Sequence, residues 1–229
     1  MTQIMKGEFN HIGYQLPYDN LPHQYTKQGR IYTSPAGAKL MSVTTVLSIL
    51  SRDFIREWKA RIGEDEAAKI SSRASGRGTA VHSLIEDYVN NKEVDVSSTM
   101  PFVLSPFKQI AGVCDTHVQD VRGLEIPLYS SHLCLAGRTD LVANFDGKLS
   151  IIDFKTSAKT KKKEWLDGYF MQQCAYAIMW EEVTKEPITR LVTIIANDSG
   201  IPQIFIQKRD RWVDPLFDTI ERYANEQSS

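Results

Sequence analysis

The spacing of apolar residues changes period partway along the chain. From Asp53 to about Ile70 it is helical, with Phe54, Ile55, Trp58 and Ile62 on one stripe. Gly76 and Gly78 punctuate, and Val81, Leu84, Ile85 and Tyr88 then mark a second helix running to about Val89. A third helix is predicted from about Phe102 to Val118. Beyond it the pattern turns strand-like. Val121 to Tyr129, Leu133 to Phe145 and Lys148 to Thr156 read as three strands. Trp165 to Val183 reads as a long helix, and Arg190 to Ala196 and Gln203 to Gln207 as short strands. Pro202 begins the second of these, and Trp212 to Ala224 closes the chain as a helix.

The start of the chain is different. Residues 1–30 are rich in Pro, Gly, Asn, Gln and Tyr without a clear period, and read as an extended arm. Ser34-Pro35-Ala36-Gly37 is a turn between two short strand-like runs. Val46, Leu47, Ile49 and Leu50 then predict a short helix starting near Ser42 or Thr44, either of whose hydroxyls could cap it. The order is helices and then βββαββα, which predicts an α/β fold with an N-terminal helical part.

Composition narrows the function classes. The 229 residues are 42% hydrophobic and 24% charged, enough apolar material for a core. A net charge of −1 gives no overall field to coat the protein onto nucleic acid, so any such contact needs a local patch or a metal. Cys114, Cys134 and Cys174 are three, widely spaced and without a CxxC pair, which argues against a zinc knuckle, a cysteine-ligated cluster or a disulfide framework. The N-terminus has no long apolar run and no stretch approaches the length of a membrane span. The expected location is therefore the cytoplasm, that of the host cell for a viral chain, without a signal peptide or membrane contact.

The candidate chemistry lies in AGRTDLVANFDGKLSIIDFKTS. Asp146-Gly147 is a favoured two-residue hairpin turn, because both central positions take positive φ. Asp140 lies six residues before Asp146, and Asp153 six after Gly147, so the two aspartates face each other across the hairpin. Facing like charges destabilise a strand pair, and a hard divalent cation relieves them. Lys155, two residues after Asp153, points to the same side, where an ammonium can orient water or stabilise phosphoryl charge. Asp…Asp-x-Lys is thus a device for metal-assisted phosphodiester hydrolysis. The alternative is an ion-pair cluster in which Arg138 and Lys155 neutralise the two aspartates. The Lys159, Lys161, Lys162, Lys163 run reads as a solvated loop or as a track for phosphates. Trp165 beside it stacks on a base or plugs the core.

GRTDLV, IIDFKT and QQCAY, in that order, resemble the RecB-type branch of the PD-(D/E)XK nucleases. KLMSVTTVLS and GRGTAVHSLIE are further similar to the mitochondrial genome-maintenance exonucleases and their phage relatives, and the resemblance covers about residues 30–180. It implies a restriction-endonuclease-like core, βββαββ around a mixed sheet. Residues 1–30 would be an arm, 31–120 a hairpin and helical part carrying the motif histidine, and 121–229 the nuclease core, together one compact domain. The resemblance assigns His82, Asp140, Asp153 and the Phe154 carbonyl to one or two Mg²⁺ or Mn²⁺ ions, with Glu125 as an assisting ligand. Lys155 would activate or position the water, and Gln172 and Tyr176 would orient the strand. Glu86, one turn after His82, would support the site from behind or lie in solvent. Ser42 and Thr44 could hold a phosphate rather than only cap a helix, and Lys161, Lys162 and Lys163 would track the backbone. The implied substrate is single-stranded DNA cut from its ends, with the N-terminal helices forming a passage for it. Replication or recombination proteins are the implied partners of a monomeric chain. The cysteines for an iron–sulfur cluster are missing, so none is expected. Two other readings stay open: a structure-specific endonuclease or resolvase of the same fold, and a DNA-binding relative without catalysis.

Overall fold

The computed structural model describes residues 3–228. The first half of the chain builds β1 (Ile4–Met5), β2 (His23–Thr26), β3 (Gly29–Thr33), β4 (Lys39–Ser42), α1 (Val43–Leu47), α2 (Arg52–Ile62), α3 (Glu64–Val89), β5 (Val94–Asp95) and α4 (Pro101–His117). The second half supplies β6 (Val118–Ser130), β7 (Leu135–Phe145), β8 (Lys148–Ser157), α5 (Asp167–Thr184), β9 (Arg190–Asn197), β10 (Gln203–Lys208) and α6 (Val213–Ser228). The expected βββαββ core is therefore present as β6 through β10 with α5.

An eight-stranded mixed sheet runs in the order β10-β9-β8-β7-β4-β3-β2, with β6 on β7 off that path. β7 and β8 are antiparallel, whereas β8–β9 and β4–β7 are parallel. Alternation along the central strands feeds two cores. Leu141, Ile152 and Phe154 pack with Val81 and Ile85 of α3 and with Phe107 and Ile110 of α4. Val142 and Ile151 pack on the other face with Phe170, Ala175 and Trp180 of α5 and Leu216 of α6. The sheet is thus the middle of three layers.

Two sequence expectations change. The helical break falls at Gly63, whose φ of 88° is the left-handed region that glycine enters without a Cβ penalty. Gly76 and Gly78 do not punctuate; they lie inside the 26-residue α3. A Cβ on Gly76 would meet nothing within 4 Å, and one on Gly78 would only touch the Thr156 hydroxyl at 3.8 Å, so neither forces a break. The apolar stripe of α2 exists but packs little: none of its residues is buried.

Residues 3–22 run over the other elements and are held to them. β1 pairs with β5, and His11 bridges to Val121. The Asn91 side chain brackets the Phe9 backbone, accepting from its N–H and donating to its carbonyl, both at 2.8 Å. Phe9 and Leu21 are buried. No helix among the described residues is long and apolar enough to cross a membrane.

Trp180 is the largest fully buried side chain and lies at the centre of the α5 core. Trp180→Ala is expected to lower the unfolding free energy by about 3–5 kcal/mol, read from urea denaturation with an unchanged m-value.

Candidate active site

The β7–β8 hairpin turns at Asp146 and Gly147, with φ values of 48° and 70°, as the two-residue turn requires. Its ladder pairs Phe145 with Lys148 through to Leu141 with Ile152. One step further in that register, Asp140 stands opposite Asp153. β6 extends the row, because Glu125 falls between the Leu124–Leu141 and Ile126–Thr139 pairs and so stands opposite Asp140. Three carboxylates therefore lie abreast on three adjacent strands.

The backbone is irregular along this row. A bulge shifts the β6–β7 register between Gln119 and Gly123, and Glu125 takes a φ of 48°. The β7–β8 ladder ends at the aspartate pair, where the Phe154 N–H donates to Asp140 Oδ2 at 2.8 Å. α3 passes over the end of β8 at Gly78 and one turn later delivers His82. His82 Nε2 sits 2.9 Å from the Phe154 carbonyl, and Nδ1 sits 3.7 Å from Asp140 Oδ2. A proton on Nε2 donates to that carbonyl and leaves the Nδ1 lone pair for a ligand.

Ligand atoms of His82, Glu125 and Asp140 all lie within 4.8 Å of one another. Burial first, and the charge of Asp140 second, push the Glu125 carboxyl up to about 7, against the pull of Arg138 and His82. One imidazole and two crowded carboxylates are a donor set that Mg²⁺ or Mn²⁺ fits, and a cation relieves the repulsion that raises Glu125.

Asp153 faces a second group. Its carboxylate is 2% exposed, and the Lys155 ammonium lies 2.6 Å from one oxygen and 2.5 Å from the other. Burial pushes Asp153 up while Lys155 opposes the shift. For Lys155 burial pulls downward, but Asp153 and Asp140 outweigh it and hold the ammonium charged. Gln172 Nε2 reaches Asp153 Oδ1 at 3.4 Å. The buried Tyr176 lies against Gly137 of β7, where an added Cβ would come within 2.7 Å of its hydroxyl. Burial pushes the Tyr176 phenol up, helped by Asp140 and Asp153.

The ion-pair alternative is only half realised. Lys155 does neutralise Asp153, but Arg138 turns to Glu125 instead of Asp140. It donates to the Glu125 carbonyl at 2.8 Å and to Asn20 at 3.0 Å. Other residues lie outside this cluster. Ser42 stands at the start of α1, but its hydroxyl makes no cap and pairs with that of Thr44 at 2.8 Å. The Lys161 backbone is pinned on both sides to the Gln203 side chain, which fixes the lysine loop to β10. Lys163 opens a short 3-10 turn. Trp165 does not plug the core: it is 64% exposed, with the Lys162 ammonium 5.6 Å from its ring centre.

Tyr169 was missed from sequence. Its ring lies 5.1 Å from the Lys155 ammonium and closes the side of Asp153 and Lys155 nearest α5. The available signal was its position three residues before Gln172, on the same helical face.

The family model of the PD-(D/E)XK nuclease superfamily matches residues 106–226. The mouse mitochondrial genome maintenance exonuclease 1 is 30% identical over 112 residues, covering 47% of this chain and 33% of that protein. The human protein of the same name is 29% identical over 111 residues, covering 47% and 32%. The match thus spans about a third of the length of these relatives. A solved structure from Eubacterium rectale, provisionally described as an exonuclease, aligns over 66% of this chain and 65% of its own at a TM-score of 0.46 and 12% identity.

Saturating Mn²⁺ is expected to stabilise the protein through the His82, Glu125 and Asp140 cluster. At a hundred times its Kd the gain is about 2.7 kcal/mol in urea denaturation, reversed by EDTA. Asp140→Asn should lose most of that gain. An equal gain in the variant would place the ion elsewhere.

Proposed function

The chain belongs to the PD-(D/E)XK nuclease superfamily, and on that premise we propose that it is a Mg²⁺- or Mn²⁺-dependent exonuclease acting on single-stranded DNA from its ends. The observation that carries this reading is the row of Glu125, Asp140 and Asp153 beside His82 and Lys155. His82, Glu125 and Asp140 would hold the ion, with Asp153 and the Phe154 carbonyl as further donors. When bound, such an ion neutralises phosphoryl charge and makes water a stronger nucleophile.

The protein's own groups divide the remaining work. Lys155, held charged by Asp153, donates hydrogen bonds to water or a phosphate oxygen and does not take a proton. Asp153 fixes the ammonium, and Gln172 fixes Asp153. Tyr169 walls the ammonium from the α5 side. Tyr176 lies buried under β7 and supports the strand that carries Asp140. The requirement for single-stranded ends draws on the relatives named as exonucleases and on the sparsely packed α2, which stands clear of the core. The ordered lysine loop next to β8 offers cations to the backbone of the strand.

The test uses one linear single strand labelled at either end, a circular single strand and a duplex, each in Mg²⁺, Mn²⁺ or EDTA. The expected result is metal-dependent loss of the linear strand alone, slowed by about 10²–10³-fold in Lys155→Ala. Equal cutting of the circle would make the protein an endonuclease. Unimpaired cleavage by Lys155→Ala would end the proposed role of the lysine.

A further inference from the structure

The β2–β3 hairpin carries a feature that the candidate active site does not use. Its register pairs His23 with Tyr32 and Tyr25 with Arg30. Alternation places all four side chains on one face of the ribbon. They touch one another. The Arg30 guanidinium carbon lies 5.8 Å from the Tyr25 ring centre and 5.7 Å from that of Tyr32. The His23 ring lies 5.8 Å from Tyr25 and 5.3 Å from Tyr32.

This face is a slope from solvent into the molecule. Tyr25 at its tip is 75% exposed, whereas Tyr32 at its foot is buried with Ala136 of β7. Ala136 is four residues before Asp140, about 13 Å along a strand at roughly 3.3 Å per residue. Arg138 lies between them and joins the two regions, because it donates to the Glu125 carbonyl and its charge acts on the Tyr32 phenol.

The charge on this slope lacks an acidic partner. No carboxylate among the described residues forms an ion pair with Arg30, although lysines and other arginines form 11 such pairs elsewhere among them. Its Nε is buried and makes no hydrogen bond. A guanidinium set against two tyrosine rings, with no carboxylate to cancel its charge, suits a phosphate; an exposed ring two residues from a histidine suits a nucleobase.

We propose that His23, Tyr25, Arg30 and Tyr32 form a substrate-positioning platform that holds the single strand outside the cleavage site. Arg30 takes one phosphate and Tyr25 stacks one base. The proposal rests on the reading of the protein as a single-strand nuclease and adds to it the binding surface. Arg30 lies in register with Ala136 across β4, so at least about 13 Å separates the platform from the carboxylate row. The platform therefore acts on strands of several nucleotides and not on a dinucleotide.

The experiment measures binding apart from cleavage. A fluorescein-labelled single strand is titrated in EDTA at several salt concentrations with wild-type, Tyr25→Ala, Arg30→Gln and Arg30→Lys proteins. Hydrolysis of the same strand and of a dinucleotide is then measured in Mn²⁺. Tyr25→Ala is expected to weaken binding about tenfold with the salt slope unchanged. Arg30→Gln should weaken binding and flatten the slope of log K against log salt by about 0.7, whereas Arg30→Lys should keep the slope. Both losses should appear in KM for the long strand, with kcat and dinucleotide cleavage at wild-type values. Melting temperatures check that each variant is folded, and the exposure of Tyr25 makes its variant the safest of the three. Wild-type affinity, slope and KM in both Tyr25→Ala and Arg30→Gln would overturn the platform. If the wild-type protein binds the strand but cuts nothing, the nuclease reading fails while the anisotropy data still decide the platform.

Discussion

Three carboxylates abreast on neighbouring strands are the constraint around which the rest of the site is built. Like charges directly opposite each other oppose strand pairing, and burial makes each charge costlier. Around Glu125, Asp140 and Asp153 the chain answers locally. The ladders lapse at that row, and the Phe154 N–H goes to Asp140. Lys155 takes Asp153, and Arg138 takes Glu125 from its exposed side. Asp140 in the centre is hydrogen-bonded by that N–H and has His82 nearby, without a Lys or Arg salt bridge of its own among the described residues. Two cations against three acids leave one charge unmatched, and the charge of Asp140 adds to the upward shift that burial gives Glu125. A divalent cation held there would complete this balance.

The irregular backbone has the same origin. A glutamate in the left-handed region costs of order 1–3 kcal/mol, and such residues persist only where the surroundings dictate them. Regular β-geometry at Glu125 would carry its ladder bonds straight through the row. The bulge and the positive φ lift the carboxylate out of plain pairing and into the group formed with His82 and Asp140.

Local rules made much of this readable from sequence. The Asp-Gly turn and strict alternation set the register of β7 and β8, so the facing of Asp140 and Asp153 followed from counting. What sequence counting missed has tertiary causes. Gly76 and Gly78 look like breaks, but a long helix tolerates glycine where nothing demands another conformation, while Gly63 breaks because its φ is positive. Arg138 reads from sequence as an ion-pair partner of an aspartate, whereas in the structure it lies against Glu125 of β6. The closeness of Glu125 to His82 depends on how α3 crosses β8, which no period along the chain records. Tyr169 and the anchoring of Phe9 by Asn91 depend likewise on contacts distant in sequence.

Near-neutral charge then shapes how a polyanion could be handled. An acidic cluster repels a phosphate chain, so attraction must come from groups set beside it and not from the protein as a whole. The cations near the row are mostly occupied: Lys155 by Asp153, Arg138 by Glu125. Arg30 differs, because tyrosine rings instead of carboxylates surround it. Rings can hold a guanidinium in place without cancelling its charge, and they present a surface to any base whatever its identity. On the proposed function, grip and chemistry are therefore separable in this fold. Under that function the carboxylate row would meet a phosphate through a metal, whereas the hairpin would meet one unaided, from a strand whose Tyr32 packs with Ala136 of β7.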